Sequence, residues 1–194
     1  MLPLFLTSNG LYEDDVFIEL LKVIKDHKIQ KKICFITTAI RKSDRAFHQD
    51  KTKNLFNKAG FKIVDFIDIE VDDPSKLREY PIVCIFGGDP FFLLGQLRGN
   101  GAIEIIRELR EKGHFIVGHS SGAAVLGKSI SHAQLLHPEW NTINLVDLEG
   151  IGLIDGVILP HSNRYTKSEG LIKEYLEKNQ YNIIRINDYK YEIV

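Results

Sequence analysis

The chain has few cysteines and no long apolar run, which argues against a disulfide-rich protein and against a membrane-spanning one. Only two of the 194 residues are cysteines, Cys34 and Cys84, and each lies inside an apolar segment. We therefore expect buried thiols, with neither a disulfide framework nor a metal site. No apolar stretch approaches the roughly 18 residues that a membrane-spanning helix needs. The short apolar start, residues 1–6, lacks a basic leader and is interpreted as a first strand of a cytoplasmic protein without a membrane partner.

The chain also lacks an excess of charge of either sign. It has 25 Lys and Arg against 26 Asp and Glu, which gives a formal net charge of −1. No run of basic residues alternates with aromatic ones, so we expect no nucleic-acid partner. The length suffices for one hydrophobic core, and we expect a single domain over residues 1–194. A homodimer is left open by these features.

Apolar strand-like segments alternate with segments of helical spacing along most of the chain. We expect strands at 2–6, 32–37, 61–67, 81–86, 115–117 and 156–160, helices at 13–27, 43–60, 91–97, 102–112, 123–127 and 168–178, and a terminal hairpin of 181–186 with 189–194. This alternation predicts an α/β fold, a three-layer sandwich with a mostly parallel sheet and helices on both faces. Ligands of such sheets bind beyond the carboxyl ends of the strands, where the two most glycine-rich turns are expected.

The sharpest motif is Gly118-His119-Ser120-Ser121-Gly122, which fits the G-x-S-x-G pattern of a nucleophile elbow. An apolar strand precedes it and a helix of small residues follows, as the pattern requires. A tight turn of this kind exposes the Ser120 hydroxyl at a helix N-terminus, where free N–H groups favour developing negative charge. Ser120 is therefore predicted to be the nucleophile. The N–H of Ser121, the residue after it, is predicted to stabilise the oxyanion. A glycine-rich turn that only packs closely is the structural alternative.

The second turn, Gly87-Gly88-Asp89-Pro90, follows another apolar strand. A glycine lets the backbone approach a ligand without a Cβ in the way, and the Gly88 N–H is our candidate for the second oxyanion donor. Asp89 is a candidate substrate-binding residue. It also fits the N-cap of a helix whose first residue is Pro90, and the two roles are compatible.

A serine nucleophile needs a base, and His161 is the candidate. It follows the apolar segment 156–160, so it would reach the site if that strand lay beside the strand of the nucleophile. Three other histidines compete for the role. The side chain of His119 is expected to diverge from the Ser120 hydroxyl, whereas His132 and His137 lie in a poorly patterned stretch that could line the pocket.

Taken together, the motifs resemble those of the aspartyl dipeptidase (dipeptidase E) and cyanophycinase family of serine peptidases. The likeness spans most of the chain and rests on the segments 85–94 and 118–123, and on 152–154 leading to Pro160 and His161. It implies a fold similar to class I glutamine amidotransferases, with a flavodoxin-like parallel sheet. It also implies hydrolysis, free of metal and cofactor, of peptide bonds next to an acidic residue. In this resemblance Ser120 is the nucleophile, His161 the base, and Gly88 and Ser121 the oxyanion donors.

The chain departs from the family pattern at several positions. Asp89 stands where the family often has Asn, and Ser121 where it usually has Ala. Leu159 and Pro160 replace the Asp-Gln pair of the cyanophycinase branch, which favours a dipeptidase-like or unassigned branch.

The third triad member is open between several acids and one amide. One family position falls near Leu135, which cannot serve, and another falls at Asp188, which we favour because it follows the apolar segment 183–186. Asn163 is an alternative, since an amide can also orient an imidazole. The weaker candidates are Glu139 and Asp147.

Arg164, three residues after His161, is predicted to bind substrate, because a guanidinium suits a carboxylate of a peptide. The alternative is that Arg164 is an exposed arginine at the start of a helix. The functional hypothesis is a serine peptidase acting on small peptides, dipeptides with an N-terminal Asp above all. The rival hypotheses are an esterase or amidase for another small acyl substrate, and a catalytically silent module that binds a metabolite.

Overall fold

A six-stranded sheet forms the centre of the computed structural model, which describes all 194 residues. The strands are β1 (Phe5–Thr7), β2 (Lys32–Ile36), β3 (Ile63–Ile67), β4 (Ile82–Ile85), β5 (Phe115–His119), β6 (Val157–Pro160), β7 (Ile183–Ile186) and β8 (Tyr191–Ile193). The order in the main sheet is β3-β2-β4-β5-β1-β8, and every neighbouring pair is parallel except β1 with β8. The remaining strands, β6 and β7, form a separate parallel pair.

Seven α-helices and three short 3-10 helices connect the strands. The α-helices are α1 (Asp14–Asp26), α2 (Lys42–Lys58), α3 (Pro90–Gly99), α4 (Ala102–Glu111), α5 (Ser121–Ala124), α6 (Ser131–Leu136) and α7 (Glu169–Asn179); the 3-10 helices are Pro74–Glu79, Pro138–Trp140 and Ser162–Ser168. The predicted helices are present, each within a few residues of its expected bounds, and α6 occupies part of the stretch that had no clear pattern.

Side chains of the central strands alternate between two hydrophobic cores, one on each face of the sheet. In β2, Ile33 and Phe35 pack with residues of α1 and α2, whereas Cys34 and Ile36 face α3, α4 and α5. This two-residue period is what a strand covered on both faces requires. Burying a side chain such as Phe35 contributes about 1.5–3 kcal/mol. The α/β sandwich with helices on both faces is therefore confirmed.

The turns that follow β4 and β5 lie side by side, because these two strands are parallel neighbours. A Cβ placed on Gly87 would lie 2.5 Å from the Cβ of Ser120, so the two turns are in direct contact and only glycine fits there. The two glycine-rich turns are therefore adjacent, at the carboxyl ends of their strands.

One expectation about the last strands is wrong, and the condition stated for His161 is not met. The predicted terminal hairpin does not form: β7 pairs with β6, and β8 pairs with β1, where Tyr191 stacks on Phe5 with ring centroids 5.3 Å apart. The strand before His161 does not lie beside β5, because β1 and β4 already occupy both of its edges. Instead β6 packs against α5 from the separate pair. The loop between β7 and β8 consequently crosses from one sheet to the other.

No helix in the structure is long and apolar enough to cross a membrane.

Candidate active site

Ser120 sits in a sharp turn between β5 and α5, with φ 54° and ψ −121°. Positive φ is rare for a residue with a side chain, and such strain is typical of functional positions. The glycines on both sides are sterically required. A Cβ on Gly118 would lie 2.6 Å from the Cα of Ala123, and one on Gly122 would lie 1.9 Å from the carbonyl oxygen of Ile85. The G-x-S-x-G spacing therefore follows from the close contact of this turn with its surroundings.

His161 follows β6 directly and also has positive φ, 57°. Its Nε2 lies 2.8 Å from the Oγ of Ser120, within hydrogen-bond distance. Its Nδ1 lies 2.6 Å from Oδ1 of Asp188 and 2.9 Å from Oγ of Ser8. The backbone N–H of His161 donates to the same Ser8 oxygen, at 2.9 Å. The imidazole is thus held between a serine on one side and a carboxylate on the other.

Asp188, in the loop between β7 and β8, is surrounded by hydrogen-bond donors. Arg164 donates to it through Nε at 2.7 Å and through Nη2 at 2.9 Å, and Asn163 donates through Nδ2 at 3.2 Å. The Asp188 N–H in turn donates to Oδ1 of Asn163 at 2.7 Å. Burial raises the pKa of this carboxyl, but the hydrogen bonds from Arg164, His161 and Asn163 outweigh it and bring the pKa down to about 2. Asp188 is therefore ionised at neutral pH.

The Asp188 loop is tied to the end of β1. Thr7 donates through Oγ1 to the carbonyl of Lys190 at 2.9 Å, and the N–H of Tyr189 donates to Oδ1 of Asn9 at 2.8 Å. The N–H of Ser120 donates to the carbonyl of Thr7 at 2.8 Å. The end of β1 thus contacts both the serine turn and the carboxylate loop.

The Gly88 turn faces the serine turn. Gly88 has φ 147°, and a Cβ there would lie 1.9 Å from the carbonyl oxygen of Ala39, so only glycine fits. No hydrogen bond within the protein engages the Gly88 N–H. The Ser121 N–H is in the first turn of α5, where helix geometry leaves amides unpaired, and the Ser121 hydroxyl donates to the Gly88 carbonyl at 2.7 Å. That last bond fixes the two turns relative to each other.

Two cavities meet at Gly88 and Trp140, which line both of them. The smaller, about 180 Å³, contains Ser120 and His161, and its wall includes Ser121, His132, Leu136, His137, Arg164 and Tyr165. The larger, about 580 Å³, lies on the other side of Gly88 and is lined by Tyr12, Ala39, Ile40, Arg41, Asp44, His48, Phe86, Asp89, His119, Glu139 and Thr142, among others. A small ligand bound at Ser120 could extend into either space.

None of the three alternative histidines forms a hydrogen bond with the Ser120 hydroxyl. Burial lowers the pKa of both His119 and His132 to about 4, and the Nδ1 of each has no hydrogen-bond partner. His137 stacks on Trp140, with ring centroids 3.8 Å apart, and its Nε2 lies 3.1 Å from the hydroxyl of Tyr165. These histidines form walls of the two cavities.

No group of three or more His, Cys, Asp or Glu side chains is placed to hold a metal ion.

Residues 4–191 match peptidase family S51. The chain belongs to this family. It is accordingly a serine peptidase of the dipeptidase E type, as the sequence motifs predicted.

Relatives of this S51 peptidase carry the same class of name. An uncharacterized peptidase of Listeria monocytogenes serovar 1/2a is 29% identical over 187 residues, which cover 93% of this chain and 89% of the relative. An uncharacterized peptidase of Pasteurella multocida is 27% identical over 169 residues, covering 85% and 79%. The crystal structure of a candidate peptidase E protein from Listeria monocytogenes EGD-e superposes with a TM-score of 0.74 at 25% identity, covering 99% and 96% of the two chains. A peptidase from an acI-B1 Actinobacterium shares the fold, with a TM-score of 0.76 at 19% identity over 99% of this chain and 82% of that one.

The structure brings Ser120, His161 and Asp188 of this S51 peptidase together, and it places the alternative acids elsewhere. Glu139 is paired with His137 at 3.3 Å, and Asp147 lies near Arg98 at 3.4 Å. Asn163 contacts Asp188 and not the imidazole.

The two predicted substrate-binding residues have partners in the protein. The Oδ1 of Asp89 accepts the N–H groups of Phe91 and Phe92 and so caps α3, as the N-cap pattern predicted. Arg164 is paired with Asp188, yet more than half of its side chain is exposed, and its Nη1 makes no hydrogen bond.

Sequence reasoning missed Ser8 and part of the wall of the larger cavity, in particular Arg41, His48 and Trp140. Ser8 lies in the turn Thr7-Ser8-Asn9-Gly10, and the only signal was a group of polar side chains directly after a strand. Trp140 lies in the stretch that showed no pattern. Arg41 directly precedes α2 and His48 lies in its second turn, and the sequence analysis assigned no function to that helix.

Proposed function

We propose that this S51 peptidase hydrolyses small peptides, in particular dipeptides with an N-terminal Asp, with Ser120 as nucleophile and His161 as general base. The observation that supports this most is the continuous hydrogen-bond chain from Ser120 Oγ through both imidazole nitrogens to Asp188. Each link has the length that proton transfer and orientation require. Ionised Asp188 favours the imidazole tautomer with its proton on Nδ1, which leaves Nε2 free to accept the Ser120 proton.

The reaction proceeds by acyl transfer in two halves. His161 takes the proton of Ser120 as Oγ bonds to the peptide carbonyl carbon, and the carbonyl oxygen becomes an oxyanion. The N–H groups of Gly88 and Ser121 stabilise that charge; loss of one such donor typically costs about 3 kcal/mol of transition-state stabilisation. His161 then gives its proton to the leaving amine as the C–N bond breaks. In the second half water loses a proton to His161 and adds to the ester carbon. The bond from that carbon to Ser120 Oγ then breaks, His161 returns the proton to Oγ, and the acid is released.

The role of His161 assigns the two cavities to the two ends of the substrate. Because His161 must protonate the leaving amine, the leaving residue lies on its side, in the smaller cavity with Arg164. The acyl residue then extends past Gly88 into the larger cavity. That cavity contains Arg41, whose guanidinium suits the carboxylate of an Asp side chain, and His48, whose ring N–H can donate to the same carboxylate.

Groups for the two peptide termini are also available. The free Nη1 of Arg164 is suited to the terminal carboxylate of the leaving residue, as a guanidinium can bind two carboxylates on different edges. The larger cavity also contains the carboxylates of Asp44, Asp89 and Glu139, any of which can pair with the α-amino group of the acyl residue. These placements favour a short peptide with both ends charged over a long chain.

The test is amino-acid release from a peptide panel. The panel is Asp-Leu, Glu-Leu, Asn-Leu and Ala-Leu, together with N-acetyl-Asp-Leu and Asp-Leu amide to probe the two termini. We expect the fastest cleavage for Asp-Leu and a large rise in KM when either terminus is blocked. Ser120→Ala should abolish turnover and labelling by a fluorophosphonate, whereas Ser75→Ala, a change at a partly exposed serine of the 3-10 helix Pro74–Glu79, should leave both intact.

The outcomes separate the parts of the proposal. Turnover that survives in folded Ser120→Ala would overturn the nucleophile assignment. Labelling of Ser120 together with equal cleavage of Asp-Leu and Ala-Leu would retain the acyl-enzyme mechanism and reject the acidic preference.

A further inference from the structure

Ser8 contacts His161 at two points. The residue is completely buried, in the turn after β1. Its Oγ accepts the His161 backbone N–H at 2.9 Å and lies 2.9 Å from Nδ1 of the same residue. No other hydrogen bond engages the Ser8 hydroxyl, although the Ser8 N–H donates to the Lys190 carbonyl at 3.3 Å. Nδ1 of His161 is therefore the only acceptor available to the Ser8 hydroxyl proton.

The hydroxyl and Asp188 place opposite demands on Nδ1. A hydroxyl has one proton to donate, and leaving it unpaired in a buried site is unfavourable. The Ser8 hydroxyl can donate its proton only when Nδ1 is unprotonated, that is, when the neutral imidazole carries its proton on Nε2. In that tautomer His161 cannot take the proton of Ser120. Asp188 accepts a hydrogen bond from Nδ1 only in the opposite tautomer, which carries the proton on Nδ1.

We propose that Ser8 is a positioning residue that competes with Asp188 for Nδ1 of His161, so that Asp188 is needed to hold the imidazole in its reactive tautomer against Ser8. The proposal rests on the function proposed for Ser120 and His161. In the intact site Asp188 prevails, because its 2.6 Å contact with Nδ1 is shorter and involves a charged acceptor, and such hydrogen bonds are about twice as strong as neutral ones. Ser8 then accepts from the backbone N–H and keeps His161 in its left-handed conformation.

The competition predicts that removal of Ser8 compensates for removal of Asp188. In Asp188→Ala the Ser8 hydroxyl becomes the only partner of Nδ1 and drives the proton to Nε2. In Asp188→Ala/Ser8→Ala no side chain at Nδ1 selects the unreactive tautomer, so a larger share of His161 is reactive. We expect kcat of the double variant to exceed that of Asp188→Ala by about fivefold to tenfold, the effect of one neutral hydrogen bond. In the otherwise intact protein Ser8→Ala should lower kcat, because the His161 N–H loses its acceptor.

The control is Thr7→Val in the Asp188→Ala background. It removes a buried hydroxyl next to Ser8, one that donates to the Lys190 carbonyl and does not touch the imidazole. No gain in kcat is expected from it. The Asp188→Leu background, whose side chain offers neither a donor nor an acceptor to Nδ1, serves as a second test should the Asp188→Ala loop fold poorly, with a gain in the same direction. If Ser8→Ala leaves kcat equal or lowers it in both Asp188 variants, the competition is overturned.

Imidazole ¹⁵N chemical shifts provide a measurement that does not depend on activity. With ¹⁵N-labelled histidine, and His161→Gln to assign the signals, we expect the proton on Nδ1 in the intact protein and on Nε2 in Asp188→Ala. In the double variant the shifts should move back toward a mixture of the two. An Nδ1 proton in Asp188→Ala would overturn the proposal, even if no peptide were ever found to be cleaved. Conversely, the expected shifts without any turnover would reject the peptidase mechanism and leave the competition intact.

Discussion

Ser120 Oγ and His161 Nε2 lie 2.8 Å apart, although the two residues follow strands that belong to different sheets. Their alignment therefore depends on the contact of the α5 segment with β6. Gly127, just after α5, is in this contact: a Cβ there would lie 2.8 Å from the Gly156 carbonyl and 3.4 Å from the Ile158 nitrogen. The small residues after Ser120 thus allow the β6 pair to pack close to the main sheet.

Gly127→Ala should separate these segments by a fraction of an ångström and disturb the Ser120–His161 contact. We expect kcat to fall about tenfold to a hundredfold, since misplacement by about 1 Å can cost a factor of 10². Gly99→Ala is the matched control, because its added Cβ would meet no atom within 4 Å. Steady-state kinetics on the preferred dipeptide measures both, and unchanged kcat in Gly127→Ala would show that the site tolerates the separation.

Arg164 should affect kcat through Asp188 and KM through the substrate. Arg164→Leu removes the two-pronged hydrogen bond to Asp188 and the free Nη1, so we expect kcat to fall about tenfold and KM to rise. Arg164→Lys keeps the charge but not the planar fork, so KM should be nearer that of the intact protein while kcat stays low. Arg78→Leu is the control, because Arg78 forms a similar fork with Glu108 on the surface. A change in KM alone in Arg164→Leu would contradict its positioning role.

Gly88→Ala should impair catalysis more than substrate binding. The residue has φ 147°, and its Cβ would collide with the Ala39 carbonyl, so the turn must move and carry its N–H away from the oxyanion. Loss of one oxyanion donor predicts a 10²- to 10³-fold fall in kcat. Burst kinetics with an activated ester would place the loss in acylation. A variant that keeps both its fold and its kcat would show that the Gly88 N–H is not a donor.

Asp188 should also make the stability of the protein depend on pH. Its pKa of about 2 in the folded state lies below the ordinary value of 3.8, so the unfolded chain binds this proton more readily. The stability that ionised Asp188 contributes is therefore complete above the ordinary value and is lost as the pH falls through the folded value. Urea unfolding should show a difference between the intact protein and Asp188→Asn that is constant above about pH 5 and shrinks toward pH 2. A difference that is independent of pH would contradict the assignment.

The strongly patterned parts of the chain were predictable from sequence, and the relations between distant segments were not. The elbow at Ser120 and the turn at Gly88 follow from local sterics, since each glycine there meets backbone atoms within 3 Å. The expectation for Asp188 rested on the family resemblance. Its loop was expected to be the turn of a terminal hairpin, which does not form. Pairing partners of short edge strands such as β8 depend on long-range contacts, here the stacking of Tyr191 on Phe5, which periodicity does not encode.

Arg41 and His48 give the most direct test of substrate selection, because they lie in the larger cavity and make no contact with the Ser120–His161 pair. If the acyl residue occupies that cavity, Arg41→Gln should raise KM for Asp-Leu about tenfold, the loss of one charge-assisted hydrogen bond, with little change for Ala-Leu. His48→Gln should do the same to a smaller extent, since an imidazole offers a carboxylate one N–H at a time and a guanidinium offers a fork. Arg98→Gln is the control, because Arg98 bonds to the Asp147 and Glu149 carbonyls, outside both cavities. Equal effects of Arg41→Gln on both peptides would indicate a disturbed turn. No effect on either would place the acidic side chain elsewhere, with the smaller cavity and Arg164 as the remaining cationic site.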